Sequence, residues 1–171
     1  MSSIESYVRD IPDFPKPGIV FKDLTPLLAD ANALAETTRL LAEPFKDTGI
    51  TAVAGMEARG FIFGSLVAHQ LGTGFIPLRK PGKLPASTHS AAYTLEYGKA
   101  ELHMHTDAVG NTDKVLLVDD LIATGGTAAA SIELVGKSGA QIAACAFVIE
   151  LDFLNGREAL GDCPAHSLLH F

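Results

Sequence analysis

Residues 115–127 hold the densest group of side chains in this chain that could bind a ligand or act on one. Residues 115–118 are aliphatic or β-branched, which predicts a strand buried on both faces of a parallel sheet. Asp119 and Asp120 follow at the carboxyl end of this strand, where open α/β sheets bind their ligands. Carboxylates are good acceptors for vicinal hydroxyls. The two acids therefore predict a site for a sugar such as ribose.

Two residues after Asp120, the segment Ala123-Thr124-Gly125-Gly126-Thr127 has the composition of a phosphate loop, and we use that name for residues 123–127. The glycines let the backbone turn tightly and approach a ligand, and Thr127 could begin the following helix. Amides exposed at a helix start attract phosphate. An ordinary turn with solvated acids is the alternative, but acids, glycines and threonines in this order after a buried strand favour a site.

Two other segments supply positive charge. Residues 55–60 follow another predicted strand and place Arg59 beside a helix start, although a surface pair of Glu57 with Arg59 is the alternative. The second of these segments is residues 79–83, at the end of the predicted strand 74–78, and we call it the cation segment. A solvated basic loop is its alternative, but like charges repel, and an anionic ligand would relieve that cost. Its cations are Arg79, Lys80 and Lys83.

Strand and helix patterns alternate along the chain, which predicts an α/β fold with a mostly parallel sheet. An N-terminal helix begins near Ile4, and Asp30 could cap a helix that Pro44 stops or kinks. Residues 81–98 are rich in Pro, Gly, Ser and Thr and are expected to form a mobile lid loop. The predicted strands are 51–55, 74–78, 99–106, 115–118, 142–149 and 167–170, and the predicted core helices are 60–71 and 127–137.

Composition narrows the class of protein. The 171 residues, 47% of them hydrophobic, suit one domain with a full core. The net charge of −7 argues against a nucleic-acid surface. Neither a membrane span nor a secretory leader is recognisable, so a cytoplasmic protein is expected.

His103 and His105 share one face of a predicted strand, a spacing that can hold a metal ion. No third metal ligand is evident nearby, so a solvent-facing or interface pair is preferred.

Residues 115–127 resemble the phosphoribosyl-pyrophosphate signature of the type I phosphoribosyltransferases. Four further segments resemble the adenine branch of that family, and together the five cover most of residues 12–150. Residues 58–64 are similar to its pyrophosphate loop, 79–85 to its diphosphate-binding segment, 93–98 to its catalytic loop and 17–23 to its purine-contacting hood. Lys22 stands where an arginine is common, and Glu57 where aspartate or serine is expected.

The resemblance implies a type I phosphoribosyltransferase fold, in which helices flank a mostly parallel, twisted sheet. It implies a single domain over residues 1–171, with an N-terminal helix and hood over about 1–30 and a core over about 31–150. Residues 81–98 would be the long flexible catalytic loop. A homodimer is also implied, with Arg79 near the neighbouring subunit's site, and so is a strained peptide between Glu57 and Ala58.

The activity implied is purine salvage, in which adenine and 5-phosphoribosyl-1-pyrophosphate give AMP and pyrophosphate. Mg²⁺ would bind the diphosphate and ribose oxygens, reaching Asp119 and Asp120 through water, with no direct protein ligand assigned. Glu96 would handle protons on the purine and Tyr97 would lie over the ribose. Val20, Phe21 and Lys22 would bind adenine, with Phe21 stacked on the base. Phosphoribosyl pyrophosphate would be bound by Arg59, Arg79, Lys80, Lys83, Asp119, Asp120, Ala123, Thr124, Gly125, Gly126 and Thr127.

Two other functions remain open from the sequence. A phosphoribosyltransferase for another purine, such as xanthine, would share the core and differ in the base it turns over. A regulator that senses phosphoribosyl pyrophosphate would use the same fold without catalysis. Such a regulator normally needs a nucleic-acid surface, and neither a helix-turn-helix extension nor a basic face is visible here.

Overall fold

The computed structural model describes residues 4–95 and 98–171, and the chain divides after Leu40 into two compact units. In the first unit a 3-10 turn is followed by an antiparallel hairpin and two helices. The prediction of an N-terminal helix is wrong after Tyr7. The residues that follow form a strand instead, in which Ile11 pairs with Phe21 of the second strand. The elements of this unit are the 3-10 turn Ile4–Tyr7, β1 (Arg9–Pro12), β2 (Val20–Asp23), α1 (Thr25–Ala29) and α2 (Ala31–Ala42).

Asp30 caps α2 as predicted. Its Oδ1 accepts hydrogen bonds from the amides of Asn32 at 3.0 Å and Ala33 at 2.8 Å, which would otherwise lack partners in the first turn. The α-helix ends at Ala42, and Pro44 lies in the short 3-10 turn Glu43–Phe45 that follows. The predicted stop is therefore confirmed.

The second unit contains a five-stranded parallel sheet in the order β4-β3-β7-β8-β9. The bounds of β4 and α3 are those predicted from the sequence, and the other elements agree within three residues at each end except for β7. The central strands of the sheet are almost completely buried, as expected for parallel strands covered on both faces. The elements are β3 (Ala52–Met56), α3 (Gly60–Leu71), β4 (Gly74–Leu78), β7 (Lys114–Ile122), α4 (Gly126–Gly136), β8 (Gln141–Glu150) and β9 (Ala165–His170).

Strand β7 is longer than predicted, because it continues through Asp119 and Asp120 to Ile122. Its pairing with β3 ends at Val118, whereas pairing with β8 continues as far as Ile122 and Glu150. The two acids therefore lie inside β7, at the point where its β3 neighbour has ended. That geometry still opens one side of the strand at the carboxyl edge of the sheet.

The expected loop at residues 81–98 is shorter than predicted. Its second half contains β5 (Thr88–Leu95), which forms an antiparallel hairpin with β6 (Gly98–His105), the strand predicted at 99–106. Ala91 and Leu102 are paired across this hairpin and both are buried, so an alternating inner face was present in a stretch whose small and polar residues suggested a loop. Among the described residues, no helix is both long and apolar enough to cross a membrane.

Candidate functional site

A cavity of about 530 Å³ lies in the second unit, at the carboxyl edge of the parallel sheet. The ends of β3, β4 and β7, the start of α4 and the β5–β6 hairpin all contribute to its wall. Nine of its lining residues were predicted to bind the ligand: Arg59, Lys80, Asp119, Asp120, Ala123, Thr124, Gly125, Gly126 and Thr127. Sequence-distant segments thus converge here as parallel-sheet topology requires.

Asp119 and Asp120 have different surroundings. The Arg59 Nε donates a hydrogen bond to the Asp120 carboxylate, whose side chain is 8% exposed, while the arginine is 53% exposed. The Asp120 amide donates to Asp119 Oδ1 at 2.8 Å. Burial and then the neighbouring charge of Asp120 raise the pKa of Asp119 well above the usual value for an aspartate. The pair therefore offers one carboxylate already neutralised by a cation and one that is not.

The start of α3 lies unusually close to this acid pair. A Cβ atom at Gly60 would lie 2.8 Å from Asp119 Oδ1 and 2.9 Å from the Val118 carbonyl oxygen, so only glycine fits without movement. Arg59 is the N-cap of α3. The absence of a side chain at Gly60 thus lets the positive end of a helix approach β7 next to the acids.

The phosphate loop leads into α4, which begins at Gly126, so Thr127 is its second residue rather than its start. The N-cap is Gly125, with a φ of +80° that glycine adopts without steric cost. Having no side chain, this N-cap cannot itself accept hydrogen bonds from the first amides of the helix. Those amides, the helix dipole and the Thr124 and Thr127 hydroxyls make the loop suited to an anion.

Glu57 organises the cation segment. Its Oε2 accepts hydrogen bonds from the Lys80 amide at 2.8 Å and from Arg79 Nε at 3.3 Å. Burial raises the pKa of Glu57, but the two donors outweigh this effect and leave the pKa below the usual value for a glutamate. Glu57 and Arg59 therefore do not form the surface pair considered as an alternative. Glu57 pairs with Arg79, and Arg59 pairs with Asp120.

The cations of this segment are not placed alike. Lys80 lines the cavity, whereas Arg79 and Lys83 are not among the residues of its wall. The Arg79 guanidinium lies 5.9 Å from the centre of the Phe61 ring and donates to the Lys83 carbonyl oxygen at 3.5 Å. The peptide bond between Glu57 and Ala58, for which an unusual geometry was expected, is cis.

The predicted adenine-binding residues lie on β2 in the first unit. Val20 is exposed, and the ring of Phe21 meets that of Phe14 edge-on with centroids 5.2 Å apart. The Lys22 ammonium is 2.7 Å from the Asp10 carboxylate. The predicted catalytic residues, Glu96 and Tyr97, lie outside the described residues.

Sequence reasoning missed part of the cavity wall. Tyr93 and Ala100 enter it from the hairpin, and Phe147 enters it from β8. Tyr93 could have been found, because it is the first residue of the segment that resembles a catalytic loop. Phe147 could not, because it stands in an unbroken apolar strand with the signature of core.

The two histidines considered for a metal have other partners. His103 Nδ1 lies 3.1 Å from the Thr88 hydroxyl, and His105 Nε2 accepts from the Ala86 amide at 3.4 Å. In the described part of the chain, the one group of three possible metal ligands is Glu150, Asp152 and His170. Hydrogen bonds from Arg157 already occupy both carboxylate oxygens of Glu150 there.

Comparisons with known proteins agree with this geometry. The family described as phosphoribosyl transferase domain matches residues 23–159. An adenine phosphoribosyltransferase of Nitrosococcus oceani is 61% identical over the whole of both chains. The crystal structure of adenine phosphoribosyltransferase from Thermoanaerobacter pseudethanolicus is similar with a TM-score of 0.95 and 48% identity, covering 98% of each chain. That from Saccharomyces cerevisiae, complexed with an imino-altritol bisphosphate and adenine, has a TM-score of 0.91 and 40% identity and covers 97% of this chain and 96% of its own.

Proposed function

The chain belongs to the adenine phosphoribosyltransferases, and from this premise we propose that it converts adenine and phosphoribosyl pyrophosphate to AMP and pyrophosphate in purine salvage. It is thus a pentosyltransferase. The assignment to this cavity rests on one observation: an acid pair, a phosphate loop and the cations Arg59 and Lys80 meet at one edge of the sheet. These three parts match the three parts of the donor: ribose, 5′-phosphate and diphosphate.

The phosphate loop binds the 5′-phosphate, and the acid pair binds the ribose. Two adjacent hydroxyls donate to carboxylate oxygens, for which Asp119 and Asp120 are suited, and the amides at the start of α4 suit the dianion. Arg59 already neutralises Asp120, so the ribose meets a pair with one uncompensated charge rather than two. This arrangement reduces repulsion between the acids and the nearby phosphates.

The diphosphate leaves from the side of the cavity where the cations are. Breaking the bond from ribose C1 to oxygen builds positive charge on the ribose and negative charge on the departing diphosphate. Arg59 and Lys80, which line the cavity, stabilise the latter charge, and Lys83 and Arg79 contribute from the same segment. Glu57 holds the backbone of this segment through the Lys80 amide.

Magnesium ion is the proposed cofactor, and the residues present fit it. Mg²⁺ is usually bound through phosphate oxygens and one or two carboxylates with several waters retained, and Asp119 and Asp120 offer such oxygens at the cavity wall. When bound, the ion supplies charge neutralisation at the diphosphate. Asp119 and Asp120 would hold the ion while they orient the ribose.

Adenine recognition is assigned to Val20, Phe21 and Lys22, and the chemical step to Glu96 and Tyr97. Phe21 stacks on the base, and main-chain groups beside it read the base edge. Adenine offers a donor at N6 and an acceptor at N1, whereas a 6-oxopurine offers the reverse, so the wrong base leaves buried polar groups unpaired. The β5–β6 hairpin, with Glu96 and Tyr97 between its two strands in the sequence, closes over the site and keeps water from the reactive ribose carbon.

The proposed organisation is one phosphoribosyltransferase domain over residues 1–171, with the hood over about 1–30 and the core over about 31–150. The protein works as a homodimer in the cytoplasm. Its partners are its small-molecule substrates, without nucleic acid or membrane.

The test is release of pyrophosphate from phosphoribosyl pyrophosphate and Mg²⁺ with adenine, hypoxanthine, guanine and xanthine in parallel. Turnover with adenine alone is expected. Turnover of a 6-oxopurine would keep the fold and overturn the assignment of Phe21 and its neighbours as an adenine reader. Ligand binding without turnover of any base would favour the sensing function instead.

A further inference from the structure

The phosphate loop rests on a segment far from it in sequence. A Cβ atom at Gly125 would lie 2.2 Å from the Gly156 carbonyl oxygen, and one at Gly156 would lie 2.3 Å from the Ala123 carbonyl oxygen. Non-bonded carbon and oxygen atoms do not approach so closely, so Gly125 is required by the Gly156 carbonyl group and Gly156 by the Ala123 carbonyl group. Gly156 is buried and begins the 3-10 helix Gly156–Leu160, which we call the C-terminal turn.

The C-terminal turn is fixed to the sheet by a paired arginine. Arg157, next to Gly156, donates from Nε to Glu150 Oε1 and from Nη2 to Glu150 Oε2, both at 2.6 Å, and from Nη1 to the Ala165 carbonyl oxygen at 2.9 Å. The Ser167 hydroxyl donates to Glu150 Oε2 at 2.6 Å. The Glu150 side chain is only 8% exposed. A two-pronged pair to a buried carboxylate fixes orientation as well as position.

The other end of the turn is held by packing. Leu160 is buried in the hydrophobic core, and Glu150 itself stands opposite Ile122, the residue just before the phosphate loop. The Leu151 amide donates to the Ile122 carbonyl oxygen at 3.0 Å. The strand that leads into the loop and the turn that supports the loop are therefore anchored at the same place.

From these contacts we infer that Gly156 and Arg157 are positioning residues for 5′-phosphate recognition, acting through the C-terminal turn on the backbone of residues 123–125. This inference rests on the proposed binding of the 5′-phosphate by the phosphate loop. Neither residue lines the cavity, so both act through the loop rather than on the ligand. The amides at the start of α4 point correctly only while the loop lies against Gly156.

The reverse reaction separates this role from general stability, because its substrates, AMP and pyrophosphate, use different segments. AMP carries the 5′-phosphate, whereas pyrophosphate is assigned to Arg59 and the cation segment. Gly156→Ala is expected to raise the KM for AMP roughly tenfold or more, because small misplacements of binding groups have effects of that size or larger. The KM for pyrophosphate should stay within about twofold.

Gly136→Ala is the matched control, since a Cβ at this residue, on the last turn of α4, meets nothing within 4 Å. It should behave as the unaltered protein. Arg157→Lys keeps the charge but loses the two-pronged geometry, and a smaller rise in the KM for AMP, about two- to threefold, is expected. This variant also keeps the test decisive if Gly156→Ala does not fold.

The outcomes are distinct. If the Gly156 and Arg157 variants bind AMP like the control, or lose AMP and pyrophosphate equally, the positioning role is overturned. Thr127→Ala tests the loop itself: a raised KM for AMP in this variant alone would leave the loop assignment standing and remove only the support from the turn. If neither Thr127→Ala nor Gly156→Ala changes the KM for AMP, the phosphate-loop assignment is overturned. If the unaltered protein forms no adenine from AMP and pyrophosphate, the proposed activity is overturned.

Discussion

Protonation of Asp119 should weaken donor binding. Burial and the charge of Asp120 raise its pKa, so its carboxylate takes up a proton at a higher pH than an ordinary aspartate does. The neutral acid accepts hydrogen bonds from ribose hydroxyls less well than the carboxylate. The kcat/KM for phosphoribosyl pyrophosphate should therefore be full above this raised pKa and fall as the pH drops through it. A pH profile of that quantity is the measurement.

The control for this prediction is Asp119→Asn, which cannot titrate. It should have a low kcat/KM for phosphoribosyl pyrophosphate at every pH, and the acidic fall assigned to Asp119 should be missing from its profile. An unchanged acidic fall in the variant would assign the titration to another group.

Glu96 is predicted to act in the chemical step rather than in binding. Glu96→Gln keeps the size of the side chain and removes its ability to exchange a proton, so kcat should fall by about a hundredfold or more. The dissociation constant for phosphoribosyl pyrophosphate, measured by titration calorimetry, should hardly change. Glu101→Gln on β6 is the control, because Glu101 is not in the cavity wall and both rates and binding should be retained. Loss of binding in Glu96→Gln would contradict the assignment.

Side-chain chemistry was the part of the site that could be predicted from single residues. Acids, glycines and threonines in order after a buried strand identified the segment at 115–127 without any contact being known. The role of Gly156 could not be predicted, because its requirement comes from a carbonyl oxygen of Ala123, thirty-three positions earlier. The resemblance to a family supplied the roles of Glu96 and Tyr97, and these stay predictions.

At the scale of elements, the approach of α3 to β7 should depend on Gly60. Gly60→Ala places a methyl group 2.8 Å from Asp119 Oδ1 and 2.9 Å from the Val118 carbonyl oxygen, so the helix start must move away from the strand. Overpacking of this kind lowers the free energy of unfolding by about 1–3 kcal/mol. The KM for phosphoribosyl pyrophosphate should rise as well, because Arg59 at the helix start moves away from its partner Asp120. Chemical denaturation and steady-state kinetics measure the two effects.

Gly64→Ala on the same helix is the matched control. Its new methyl group would lie 2.8 Å from the Phe75 ring and 3.3 Å from the Gly55 Cα atom, and it would not contact the acid pair. Some stability should be lost without a change in the KM for the donor. Equal kinetic effects of the two variants would show that the close approach at Gly60 has no particular role in the site.

The bounds of helices and strands were predicted well where the sequence has clear breaks at their ends. They were predicted less well where the residue composition is equally common in a loop and in a strand. Helix α3 and strand β4 have clear breaks at Gly72 and beyond Leu78, and their bounds agree with the prediction. Strand β6 was predicted as a strand, but β5 was taken for a loop because small and polar residues are common in both structures. Its identity depends on the partner strand, with Ala91 placed opposite Leu102, and a segment considered alone does not contain that information.

At the scale of the whole molecule, the proposed homodimer would let one subunit complete the site of the other. Arg79 is absent from the wall of the cavity in its own chain, and its guanidinium lies beside Glu57 and Phe61. The resemblance to the family places this arginine near the neighbouring subunit's diphosphate. Sedimentation should therefore give the mass of a dimer, and Arg79→Ala should weaken use of phosphoribosyl pyrophosphate.

Mixed dimers test whether Arg79 acts across the interface. One chain carries Arg79→Ala and the other carries Asp119→Asn, so each homodimer lacks one needed group in every site. If Arg79 acts on the partner's site, the mixed dimer has one site with both groups intact, and activity should return to about half that of the unaltered protein. If Arg79 acts within its own chain, neither site is complete and the mixture stays inactive. Co-purification through two different tags isolates the mixed dimer, and a fully active monomer would remove the premise.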